Sequence, residues 1–107
     1  MVEDHILDIV RRYLRALPGF GIHPQMAVLF GSFARGNTHK WSDIDVLIVA
    51  PEFDEMEGFD LWKRLWHATR EADNRIEPIP CGVREWQEGS EQSIIESARK
   101  EGIEIAA

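Results

Sequence analysis

Helical and strand-like segments alternate along this chain, and few layer arrangements accept that order. From Val2 to Leu17 the apolar residues Ile6, Ile9, Val10, Tyr13, Leu14 and Leu17 recur three or four positions apart. That spacing predicts an amphipathic helix, stopped by Pro18-Gly19. Met26 to Phe30 is a short apolar run consistent with a buried strand. Gly31 to Ser42, rich in Gly, Asn, Thr and Ser, reads as loop with at most a helical stub. Asp43 to Ala50 is β-branched, the most hydrophobic strand of the chain, and Pro51 ends it. A second amphipathic helix is expected from about Met56 to Asp73, with Phe59, Trp62, Leu65, Trp66 and Thr69 along one stripe. Arg75 to Pro80 follows as a strand. Pro78 and Pro80 share parity, so both missing N–H groups lie on one side of it, while Glu77 and Ile79 keep theirs for pairing; this suits a sheet edge. Arg84 to Glu88 forms one helical turn, Ser90 to Glu101 a further helix with Gly102 as its stop, and Ile103 to Ala106 a last short strand. Helices interleaved with strands indicate an α/β layer architecture.

Size and charge narrow the function. The 107 residues suit one domain, 1–107. With 12 Lys+Arg against 19 Asp+Glu the formal net charge is −7, which argues against unaided binding to a nucleic-acid backbone. Divalent cations can still bridge carboxylates to a nucleotide's phosphates. No apolar run approaches the roughly 20 residues of a membrane-spanning helix. The acidic, amphipathic start is unlike a signal peptide. One cysteine, Cys81, allows no internal disulfide, which fits a cytoplasmic location.

The chemistry concentrates at the start of the most hydrophobic strand. In Asp43-Ile44-Asp45 the two acids flank one apolar residue, so both carboxylates project from the same face while Ile44 turns to the other with Val46 and Ile48. Their Cα atoms lie roughly 6.5–7 Å apart at strand rise. Both can therefore reach a pair of metal ions about 3.5–4 Å apart. Upstream, Leu29-Phe30-Gly31-Ser32 places a Gly-Ser turn directly after a buried strand. Its backbone N–H groups and hydroxyl suit phosphate oxygens.

Ten residues, Phe33 to Ser42, separate Ser32 from Asp43. The stretch GSFARGNTHKWSDIDVLIV resembles the signature of the DNA polymerase β-like nucleotidyltransferase superfamily, and its GSFARG opening resembles the minimal nucleotidyltransferases. The resemblance implies a nucleotidyltransferase fold, with a small mixed β-sheet flanked by α-helices, that binds ATP and Mg²⁺. On that resemblance Gly31 and Ser32 bind the nucleotide together with Asp43 and Asp45, and Asp43 and Asp45 ligate metal. The third carboxylate of the family falls on Glu77, as metal ligand and proton acceptor, so that Asp43, Asp45 and Glu77 form the catalytic set. The plain alternative for Glu77 is a salt bridge to Arg75 or to another basic residue. Two departures stand out: the third acid is commonly Asp, and Phe33 stands where many relatives carry Arg. Arg35 or Lys40 is placed to replace that phosphate contact, or simply to face solvent.

The implied reaction moves AMP from ATP to a hydroxyl acceptor. Larger relatives hold acceptors with extra domains, so the resemblance points to a partner protein: a small helical HEPN toxin whose tyrosine is adenylylated, making this chain an antitoxin. The alternative is a catalytically weak antitoxin or scaffold acting by binding. Neither a nucleic-acid nor a membrane partner is expected, and the oligomeric state stays open.

Other conspicuous residues have plainer readings. His5, His23, His39 and His67 have no metal-ligand spacing among themselves or with Cys81, so zinc is not expected, and Cys81 has no adjacent His to activate it. Trp62 and Trp66, four apart, read as core. Trp41 reads as cover for a sheet edge or as a base-stacking ring. Glu52, Asp54, Glu55 and Glu57 read as a solvated helix entrance suited to an N-terminal dipole.

Overall fold

The computed structural model describes residues 4–36, 42–55 and 59–107, apart from the side chains of Arg35 and Phe59. Four strands form one mixed sheet: β1 (Met26–Phe30), β2 (Ile44–Val49), β3 (Ile76–Cys81) and β4 (Ile103–Ala106). Their order is β3-β2-β1-β4. β1 runs antiparallel to β2 and β4, and β2 runs parallel to β3. The α-helices are α1 (Asp4–Ala16), α2 (Ser32–Arg35), α3 (Glu52–Glu55), α4 (Phe59–Ala68), α5 (Val83–Glu88) and α6 (Ser93–Glu101). Among the described residues, no helix is long and apolar enough to cross a membrane.

Alternation along β2 divides the core in two. Ile44, Val46 and Ile48 join Ala27, Leu29 and Ile76 under Ile6, Ile9, Val10 and Tyr13 of α1 and Leu61 and Leu65 of α4. Leu47 and Val49 point the other way and pack with Val28, Phe30, Cys81 and with Ile95 and Ala98 of α6. The Tyr13 hydroxyl, inside the first cluster, donates to the Leu65 carbonyl at 2.7 Å and so ties α1 to α4. Burial raises its pKa, which keeps the phenol neutral.

The α-helical part of the first helix ends at Ala16, just before Pro18-Gly19 as expected. Several expectations shift. Leu17–Phe20 continues as a 3₁₀ turn with Pro18 in its first positions, where a missing N–H costs nothing. The stop of that turn is Gly21, left-handed at φ 82°. Of the second helix, α4 covers Phe59–Ala68 and Thr69–Glu71 ends it as 3₁₀; the expected start near Met56 lies outside the described residues. Its buried stripe is Leu61, Leu65, Ala68 and Thr69. Trp62 is not core but 44% exposed, tilted against Trp66 at a ring-centre distance of 5.9 Å. The acidic entrance is only partly solvated. Glu52 accepts from the His23 backbone N–H at 3.0 Å and pairs with its ring. Asp54 accepts from the backbone N–H groups of Val83 and Arg84 at 2.9 and 3.2 Å, holding the start of α5. Glu57 lies outside the described residues.

The edge reading of the proline strand holds. The Arg75 and Cys81 carbonyls accept from Ile44 and Ala50, so odd-numbered residues of β3 face β2 and Pro78 and Pro80 face outward. Gly102 does end α6, in extended rather than left-handed geometry. It is glycine for want of space: a Cβ there would collide with Val28 Cγ1 and the Ala98 carbonyl. That close approach lets α6 turn straight into β4.

Candidate active site

Cross-strand register gathers the acids. Asp45 lies opposite Phe30 of β1 and beside Glu77 of β3. By parity its side chain shares the face of Leu47 and Val49, and Glu77 shares it with Cys81. α6 covers that face through Ile95 and Ala98, and the acids occupy the end of β2 where the chain enters. Asp43 is exposed one step before β2, whereas Asp45 and Glu77 are half-buried.

The three carboxyl groups meet. Burial raises the pKa of Glu77 most, followed by the charge of Asp43, and hydrogen bonds with the carboxyls of Asp45 and Asp43 act in the same direction. Like charges so close oppose ionisation of Glu77, which favours its protonated form. The Arg75 guanidinium clasps Asp73, with Nε 3.2 Å from Oδ1 and Nη2 3.1 Å from Oδ2. That ion pair holds Asp73 below the usual carboxylate range. Among the described residues, no group of three or more His, Cys, Asp or Glu is placed to hold a metal ion. The donors are nonetheless all carboxylate oxygens, the chemistry a hard divalent cation prefers.

Gly31 is required here twice. Its φ of 71° is left-handed, which disfavours any side chain. A Cβ would also meet the Asp45 carboxylate, with Cγ at 3.2 Å and Asp45 Cβ at 3.3 Å. The glycine thus approaches an acid of its own chain as closely as it would a ligand. Ser32, half-buried, opens the short α2, whose end is fixed by Gly36 N–H donating to the Ser32 carbonyl. The structure therefore brings Gly31, Asp45, Glu77 and Asp43 together, with Ser32 next to Gly31. The side chain of Arg35 and all of Lys40 and Trp41 lie outside the described residues.

Cys81 is no nucleophile. It is buried, and burial pushes its thiol up to about 12. What sequence reading missed is the wall of α6 beside Gly31. Ser93, Ser97 and Glu101 line a groove there with Phe30, Gly31 and Ile94. In sequence they are polar residues at helical spacing, indistinguishable from a solvated face.

Residues 7–105 match the model of a nucleotidyltransferase domain. The chain belongs to that family. Its ancestry thus agrees with the resemblance to minimal nucleotidyltransferases carried by the Gly-Ser turn and the two aspartates. A crystal structure of a candidate nucleotidyltransferase from Sulfolobus solfataricus superposes with a TM-score of 0.63 at 22% identity, over 92% of this chain and 78% of that one. At that identity the likeness speaks for the fold, a mixed sheet with helices on it. No curated protein sequence matches the chain significantly. Nucleotidyltransferase domains generally use divalent metals.

Proposed function

We propose that this nucleotidyltransferase domain transfers AMP from ATP to a hydroxyl acceptor, a tyrosine of a small helical HEPN-type toxin, and so acts as an antitoxin. The observation that carries the transfer is the meeting of Glu77 with Asp43 and Asp45 beside Gly31. The acceptor rests on the resemblance of the GSFARG and Asp-Ile-Asp stretches to minimal nucleotidyltransferases.

Gly31 and Ser32 bind the triphosphate through backbone N–H groups and the serine hydroxyl. Asp43, Asp45 and Glu77 would hold Mg²⁺, which neutralises phosphate charge and acidifies the acceptor hydroxyl when bound. Glu77 takes the hydroxyl proton, a task suited to a carboxylate whose surroundings favour protonation. The acceptor oxygen forms a bond to the α-phosphorus, and the bond from that phosphorus to the bridging oxygen breaks. Pyrophosphate leaves with that electron pair. Asp45, fixed between two strands, keeps the reacting phosphate in register with both neighbours.

The test offers ATP labelled on the α-phosphate together with the product of the neighbouring gene. Label moves to a tyrosine of that protein, and Asp43→Asn lowers the rate by about a thousandfold, or about 4 kcal/mol of barrier. One further reading has an observation behind it, the longer Glu77 where the family commonly has Asp. A tight complex formed without label transfer would establish that reading, of a binding antitoxin, and defeat the enzymatic one.

A further inference from the structure

A groove of about 340 Å³ opens between the end of β1 and α6, lined by Phe30, Gly31, Ser93, Ile94, Ser97 and Glu101. Gly31 belongs both to this groove and to the acidic site. The strand order places Glu77 on β3, Asp45 on β2 and Gly31 at the end of β1, so the groove lies across Gly31 from Glu77. An acceptor deprotonated by Glu77 therefore approaches from one flank, and the groove serves the other.

Its lining states a chemistry. Ser93, Ser97 and Glu101 recur four apart, so they stand along one face of α6, away from the buried Ile95 and Ala98. Two hydroxyls both donate and accept, while a carboxylate accepts only. Among the described residues, no Lys or Arg lines the groove. Ile94, 39% exposed, and Phe30 add apolar surface. A flat, uncharged ring with hydroxyl and amino donors fits this lining. The volume lies at the lower end of small-molecule sites, about 300–1,000 Å³, enough for one nucleoside and too small for a macromolecule.

We infer that this groove holds the nucleoside part of the nucleotide, with Ser93, Ser97 and Glu101 as its hydrogen-bond partners and Ile94 against the base. The inference rests on the proposed nucleotide site and adds to it where the base and ribose lie. Titration calorimetry of the full chain with Mg²⁺-ATP and with Mg²⁺-tripolyphosphate separates the two ideas, because tripolyphosphate has no nucleoside. Ser97 is exposed, so Ser97→Trp fills the groove from outside the core. It lowers the ratio of ATP to tripolyphosphate affinity at least about tenfold. The near-isosteric Glu101→Gln lowers the same ratio about tenfold, in line with losing hydrogen bonds to a charged acceptor. It gives the same answer should the tryptophan variant misfold. Equal weakening of both probes would place phosphates in the groove and overturn the inference. So would an unchanged ratio in a folded variant, while tripolyphosphate binding that is lost in Asp45→Asn would leave the proposed site standing. A wild-type chain that binds neither probe defeats both.

Discussion

On one face of the sheet Ile44, Val46 and Ile48 disappear under α1 and α4; on the other, Asp45 takes the position that parity gives to Leu47 and Val49. The strand is the same, and only the partners differ. The first face is closed by two amphipathic helices whose apolar stripes fill it. The second is closed by α6 over part of its length, and its remaining end carries carboxyl groups pressed together against their mutual repulsion. Stability is concentrated on the closed face, and chemistry sits where closure stops. The difference teaches that a small sheet can host a costly acidic cluster because its other side supplies the cohesion.

The sharpest way to break this contrast is to hollow the closed face. Ile48→Ala, at a fully buried position, should lower unfolding free energy by about 2–5 kcal/mol in urea titrations. The folded fraction should keep its activity, since Ile48 packs on the face of β2 opposite Asp45; loss of activity per folded molecule would blur the two faces. Next in size is a ligand effect confined to the acidic face. Mg²⁺ with ATP at a hundred times its Kd should stabilise the chain by about 2.7 kcal/mol, read as a rise in Tm that Asp45→Asn abolishes. An unchanged Tm would remove the metal-nucleotide site.

Gly31→Ala should cost about 1–3 kcal/mol, from the left-handed φ and from displacement of the Asp45 carboxylate. A neutral result in thermal unfolding would show that Asp45 is not held by that turn. The smallest effect is a pH dependence in metal-free protein. Glu77 binds its proton more tightly folded than unfolded, so its contribution is fully present below the ordinary glutamate pKa. It is lost as pH rises from there through the raised folded value. Glu77→Gln should flatten stability over that window, and a slope identical to wild type would mean the three carboxyls are not coupled.

How far the sequence carries the reader depends on which kind of information a feature needs. The opposite facing of Ile44 and Asp45 and the shared parity of Pro78 and Pro80 are consequences of strand geometry alone, and β2 and β3 lie as they require, whereas Asp43 falls one step before β2. Glu77 needed one further premise, the family's third acid, because register between distant strands is not written in local pattern. Trp62 misled because helical spacing fixes a stripe but not its phase: Leu61 and Leu65 face the sheet and Trp62 turns outward. Asp54 and Glu52 misled because their partners, Val83, Arg84 and His23, are about thirty residues away in the chain. The α6 groove was invisible for the same reason. The turn at Gly102, tight against Val28, and the packing of Ile95 and Ala98 bring that helix alongside Gly31.

The outward prolines of β3 have a last consequence. Ile76 N–H already donates to the Asp73 carbonyl, and Pro78 and Pro80 have none to give. That margin has no hydrogens to offer an incoming peptide strand, so neither a neighbour nor an aggregating copy can zip onto it in ordinary ladder fashion. The margin of β3 beside Glu77 is thereby kept from strand pairing by ring chemistry rather than by bulk.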